Sequence, residues 1–364
     1  MTAYAAFPTD NRVSSAFTAP GAPRPMVYGR YRDHGYRAQP LTAQVGSIVT
    51  PGVSNSDAFR EAGLAWKADK RPAFFMGPDG PIQSREHCSI VRSDNDALLG
   101  IHGKGYTPVQ NTALIEVLDY LREDASLESV LSIRNGRKVF ATATMKCSAE
   151  VLPGDEVRRY LHIFNSHDGS SSFGIFFSDV RLICANQLNY LTGEAMKGAT
   201  AAGTGLRRKH TSSVTDFVEG LPGRIDLQRR AFRSEVETLR AFTKVPLTVA
   251  KTRAILEATF ADKLAKPITP KGETQARERT VNDLAELATI IGHYRGSTGR
   301  GIADLEGAAG TVYGLFNAIT QFYTHDAGRA KDAIERSRSR LESLWGGDSA
   351  KRLERTRQAC LALI

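Results

Sequence analysis

The chain reads as an α+β protein: an antiparallel β-rich domain with helices, followed by an α-helical domain. Three observations predict this. Residues 56–192 hold short strand-like runs separated by tight turns, among them an Asn-Gly pair at Asn135-Gly136. From residue 212 to the end, apolar residues recur at spacings of three and four. Between the two lies 193–211, rich in Gly, Ala and Thr and ending in Arg207-Arg208-Lys209-His210, which reads as a basic linker or mobile loop.

Residues 1–55 read as a flexible arm. Pro8, Pro20, Pro23, Pro25 and Pro40 stand among small and polar residues, with Arg12, Arg24, Arg30, Arg32 and Arg37 giving a local positive bias and no apolar period. Ser56-Asp57 is then expected to cap a helix over Ala58–Ala62 that Gly63 ends. Trp66–Phe75 reads as a strand running into the turn Gly77-Pro78-Asp79-Gly80. Cys88–Arg92 and Leu98–His102 form a hairpin about Ser93–Asp96, and Asn111 is expected to cap a helix carrying Leu114, Ile115, Leu118 and Leu121 on one face.

Val130–Arg134 and Lys138–Met145 pair across Asn135-Gly136, because both turn residues accept positive φ. Arg159–Asn165 and Phe173–Phe177 extend the sheet around the polar turn Ser166-His167-Asp168-Gly169, and Val180–Leu191 fits either a last strand or the start of a helix. Helical spacing then covers segments near 213–243, 248–264, 275–293, 304–326, 328–344 and 348–363, broken by Pro246, Pro267–Gly272, Gly292–Gly301, Gly328 and Gly346-Gly347.

Composition narrows the function. With 364 residues and a formal charge of +9, the chain is long enough for two domains and favours an anionic partner, nucleic acid before acidic protein. No run approaches the ~18–20 apolar residues of a membrane span, and the N-terminus lacks a basic-then-apolar signal pattern. A soluble cytoplasmic protein is the expectation. Cys88, Cys147, Cys184 and Cys360 lie far apart without CxxC spacing, which fits reduced thiols rather than a disulfide framework or zinc site.

Gly198–Gly203 has the glycine spacing of a P-loop, but Thr204 stands where the phosphate-reaching Lys belongs, and Gly296–Gly301 lacks that Lys too. His167-Asp168 lies in a serine-rich turn without a nucleophile elbow, and no HExxH pair occurs. A polar turn is the simpler reading, a hydrolase using His167 and Asp168 the least favoured, and no cofactor is called for. No helix-turn-helix stands out for base-specific duplex reading.

The cations suggest more. Arg134, Arg137 and Lys138 flank the Asn-Gly tip, Arg158-Arg159 and Arg181 lie on neighbouring runs, and Arg207, Arg208 and Lys209 close the linker. Such cations could follow a phosphate backbone, while Phe164, Phe173, Phe176 and Phe177 either stack bases or fill the core.

Three runs, Gly105-Tyr106-Thr107-Pro108-Val109-Gln110-Asn111, Asn165-Ser166-His167-Asp168-Gly169-Ser170 and Val180-Arg181-Leu182-Ile183-Cys184-Ala185-Asn186, together with Phe316-Asn317-Ala318-Ile319-Thr320 and Thr324-His325, resemble the DUF932 family over about residues 56–326. The family is also labelled phage/plasmid-like. The resemblance implies mobile-element biology in a host cytoplasm and carries over no catalytic residue. Its matching positions Tyr106, Gln110, Asn111, Asn165, His167, Asp168, Arg181 and Asn186 become candidate site residues.

The reading that results is a non-enzymatic nucleic-acid-binding protein of phage or plasmid DNA metabolism. It would prefer single-stranded DNA to duplex and act as an oligomeric annealing or recombination accessory. Its expected contacts are Arg134, Arg137, Lys138, Asn165, His167, Arg181, Asn186, Arg207, Arg208 and Lys209. The alternative is an interaction protein that binds and modulates a host protein factor.

Overall fold

The computed structural model describes residues 47–50, 52–181, 186–187, 205–208, 222–295, 305–328, 332–344 and 347–364. The segments 1–46, 188–204 and 209–221, with Cys184, Lys209 and Gly296–Gly301, lie outside the described residues.

The strands form two antiparallel sheets. The main sheet contains β1 (Ser47–Ile48), β5 (Ala125–Ile133), β6 (Lys138–Glu150), β7 (Glu156–Ser166), β8 (Phe173–Arg181), β9 (Asn186–Gln187) and β10 (Gly205–Arg208). Its order is β1-β5-β6-β7-β8-β10, with β9 paired to the far end of β8. A second sheet holds β2 (Ala68–Gly77), β3 (Gly80–Arg92) and β4 (Leu98–Gly103) in sequence order.

Both faces of the main sheet are covered. Val139, Ala141 and Ala143 of β6, Leu161 and Ile163 of β7, and Phe173, Ile175 and Phe177 of β8 join one core with helices α1 (Asn55–Glu61) and α2 (Thr112–Tyr120) and with the small sheet. Leu131, Ile133, Phe140, Phe164 and Phe176 enter a second core built by the C-terminal helices. Coverage on both sides explains why β7 and β8 read as nearly unbroken apolar runs instead of alternating ones. It also settles the four phenylalanines: Phe164, Phe173, Phe176 and Phe177 are all buried in core, where no base can stack on them.

The C-terminal helices are α3 (Pro222–Lys244), α4 (Val249–Thr259), α5 (Ala261–Leu264), α6 (Leu287–Arg295), α7 (Val312–Gln321), α8 (Ala333–Leu344) and α9 (Asp348–Leu361). Thr248 and Thr311 cap α4 and α7 by accepting the amides of Lys251 and Gly314. Every residue of α7 is buried, since α3, α6, α9 and β9 all lie against it. A π-helical turn, Phe322–Asp326, continues α7.

Several local expectations need correction. Ser54, not Ser56, caps α1, its Oγ accepting the Asp57 amide at 3.1 Å. The helical spacing near 275–286 gives no α-helix, only the single 3-10 turn Val281–Asp283. Arg277 bridges back to Ile268, and Asp283 accepts from Arg277 and from the Thr280 amide, which shapes a turn instead of a helix interior. Within the expected linker, Gly205–Arg208 is an edge strand, because β8 still offers backbone groups on that side and Arg207 pairs opposite Gly174. Val180–Arg181 ends β8, and its continuation at Asn186–Gln187 is strand and not helix.

Candidate functional site

The hairpin of β5 and β6 closes between Ile133 and Lys138, with Arg134, Asn135 and Gly136 all at positive φ (52°, 62° and 93°). Its tip is docked on the body. A Cβ added to Gly136 would lie 2.7 Å from the Trp66 ring, and the Arg92 guanidinium lies 4.7 Å from that ring's centroid while reaching the Asn135 carbonyl. Arg134 forks onto Glu342 of α8 at 2.8 and 2.9 Å, so its charge is already answered. Arg137 is exposed and Lys138 half-buried. Burial works to raise the Asp168 carboxyl, but hydrogen bonds from Ser166 and Ser170, and after them the Lys138 charge, hold it below its usual range.

Next to this tip lies a buried polar joint. Gln110 brackets the Ala68 backbone, accepting its amide at 2.9 Å and donating to its carbonyl at 3.1 Å. Asn111 donates to the carbonyls of Leu64 and Trp66 and meets His167 Nε2 at 3.2 Å. Asn165 donates to the Val109 carbonyl at 2.7 Å, and the His102 ring meets the His167 carbonyl at 2.9 Å. Asn111 therefore makes no side-chain cap on α2; its amide is consumed on the α1–β2 loop that leads into the small sheet. The Ser166–Ser170 turn is as the simpler reading has it, with Asp168 accepting Ser166 Oγ and the Ser170 amide, and Gly169 at φ 74°.

The structure thus divides the sequence-derived site residues. Strand pairing carries Lys138 to Ser166, Phe164 to Gly174 and Gly174 to Arg207. Arg134, Arg137 and Lys138 and the backbone positions of Arg207 and Arg208 consequently share one end of the sheet, about 14 Å across three strand spacings. Asn165 and His167 lie at that end too but are 1% and 0% exposed, so they present no surface to a ligand. Arg181 and Asn186 pair with each other at the opposite end. Lys209 is outside the described residues.

Two features escaped sequence reasoning. Arg159 is not a surface cation but is buried against Asp179 at 2.8 Å, between Phe177 and Phe232. Conversely Phe74, Phe75 and Met76 are 62%, 56% and 78% exposed at the end of the β2–β3 hairpin. Their signal was present: three consecutive apolar residues abutting a tight turn cannot share one face of a strand.

Among the described residues no helix is long and apolar enough to cross a membrane, and no three His, Cys, Asp or Glu side chains gather to hold a metal ion. Fold and joint together define an α+β protein whose antiparallel sheet is covered on both faces and pinned by polar residues at one end. Among curated proteins and among solved structures nothing matches. The family model DUF932, described as a domain of unknown function, matches residues 98–345, and the chain belongs to that family. The family-like runs 105–111 and 165–170 build the joint at the cationic end. The run ending at Asn186 meets α7, which carries 316–320, at the other end.

Proposed function

We propose that this chain is a nucleic-acid-binding protein of phage or plasmid DNA metabolism that holds single-stranded DNA at the Arg137–Lys138 end of its main sheet. The observation that carries the reading is the strand register, which gathers cations far apart in sequence, at 134–138 and 207–208, onto one sheet end. The net charge of +9 gives the same sign to the long-range field. Phosphates would be held by Arg137, Lys138, Arg207 and Arg208, with Arg134 a weaker contributor because Glu342 already neutralises it. Contacts to the backbone alone carry no base information, which suits an annealing or recombination accessory acting in the cytoplasm, as a homo-oligomer, on any sequence.

The test is titration of labelled single- and double-stranded oligonucleotides at two salt concentrations. Binding that weakens steeply with salt and favours the single strand is expected. Flat curves for every nucleic acid would overturn the reading in favour of a protein that modulates a host protein factor.

A further inference from the structure

The ribbon β2–β3 outreaches its neighbour. β4 pairs with β3 only from His87 to Val91, and after a bulge at Ser84–His87 the facing segments Phe74–Gly77 and Gly80–Gln83 stand as a two-stranded finger about 13 Å long. The finger is apolar on both sides. Phe75 lies opposite Ile82, which is 46% exposed, whereas Phe74 and Met76 lie opposite Gln83 and Pro81 and point to the other face. Such large exposed groups on a thin ribbon cost solubility and contribute nothing to either core, so they point to a partner.

The finger's edge argues against that partner being another strand. Pro81 has no amide to offer, and charged Arg85 and Glu86 follow on the same strand, devices that blunt strand addition. A flat protein surface would cover one face and leave the other wet. Unstacked bases can cover both. The finger also springs from the cationic end: His102 of β4 meets the His167 carbonyl, and Arg92 at the base of β3 reaches the Asn135 carbonyl. Arg85 adds an exposed cation at the finger's bulge and Lys67 one at its base, with Asp79 at the tip and Glu86 at the bulge as exposed acids and Asp94 and Asp96, paired with Arg92 and Arg71, at the base.

We infer that the β2–β3 finger is the base-stacking element of this protein, with Phe74 and Phe75 receiving bases of a single strand whose phosphates lie on Arg137 and Lys138. The inference rests on the nucleic-acid reading above, and supplies the aromatic contacts that the buried phenylalanines of β7 and β8 do not. The finger precedes the residues matched by the family model.

Anisotropy titration of a fluorescein-labelled 20-mer of deoxythymidine tests it, comparing wild type with F74A/F75A and F74Y/F75Y. Exposed positions leave thermal stability unchanged in both variants, which melting curves check. The alanine pair is expected to weaken binding tenfold or more with the salt slope unaltered, since every cation that meets a phosphate is retained, while the tyrosine pair keeps wild-type affinity. Wild-type affinity in the alanine pair would overturn the finger and leave the nucleic-acid reading standing. No binding by the wild-type protein would overturn both. Loss, in the alanine pair, of wild-type binding to anionic phospholipid vesicles would then mark the finger as a membrane-surface element instead.

Discussion

His162 illustrates how burial sets the chemistry of a single residue. Its ring lies between Thr142 Oγ1 at 3.0 Å and Ser178 Oγ at 2.7 Å and stacks on Phe176, with no exposure to water. Burial pushes its pKa down to about 3, so the folded protein keeps it neutral. As pH falls from 6.5 toward about 3, the unfolded chain takes up a proton that the folded one refuses, and stability is lost by up to ~1.4 kcal/mol per pH unit. Asp179 acts in the opposite sense: burial raises it to about 6 against the pull of Arg159, and the stability it contributes below its unfolded value is lost as pH rises through about 6. The difference between urea-unfolding curves of wild type and H162Q across pH 4–7 isolates the histidine, and the variant is expected to lack its share of the acid slope. Arg159→Met strands the Asp179 carboxylate and is expected to cost about 3–5 kcal/mol, much of it recovered in R159M/D179L. A recovery of nothing in the double variant would contradict this account. None of this was legible in the sequence, where Arg158-Arg159 looks like any exposed basic pair. Asn111 misleads for the same reason, since its cap signal is local and its real partners at Leu64, Trp66 and His167 are not.

At the scale of elements, features encoded by adjacent residues were readable. The Asn135-Gly136 hairpin, the Ser166–Gly169 turn and the helix after Asn111 all follow from turn chemistry and apolar period, which act over a few residues. Elements fixed by distant partners were not: β10 exists because β8 has a free edge, and the turn at 277–283 because Arg277 meets Asp283. The Asn-Gly tip itself is a docking element beyond its role as a turn. Gly136→Ala would combine a φ of 93° with a Cβ 2.7 Å from Trp66, and a loss of about 2 kcal/mol in urea unfolding is expected. Trp66→Ala/Gly136→Ala, which removes the clash, is expected to lose less than the sum of the two single changes.

For the molecule as a whole, the α+β class and the order of β-rich and helical halves were legible, because they rest on periodicity summed over long stretches. The spatial grouping of the site was not. Positions separated by some seventy residues reach the same end of the sheet only through strand register, and residues that look polar and available, Asn165 and His167, are spent on a buried joint. The central claim is therefore electrostatic, and the most direct measurement is the salt dependence of single-stranded DNA affinity for wild type and for R137A/K138A/R207A/R208A. Removing one cation from a phosphate shallows the slope of log affinity against log salt by about 0.7 for a single strand, so the fourfold variant is expected to shallow it by up to ~3, with affinity lowered alike for all sequences. A wild-type slope and wild-type affinity in that variant would contradict a DNA path across this end of the sheet.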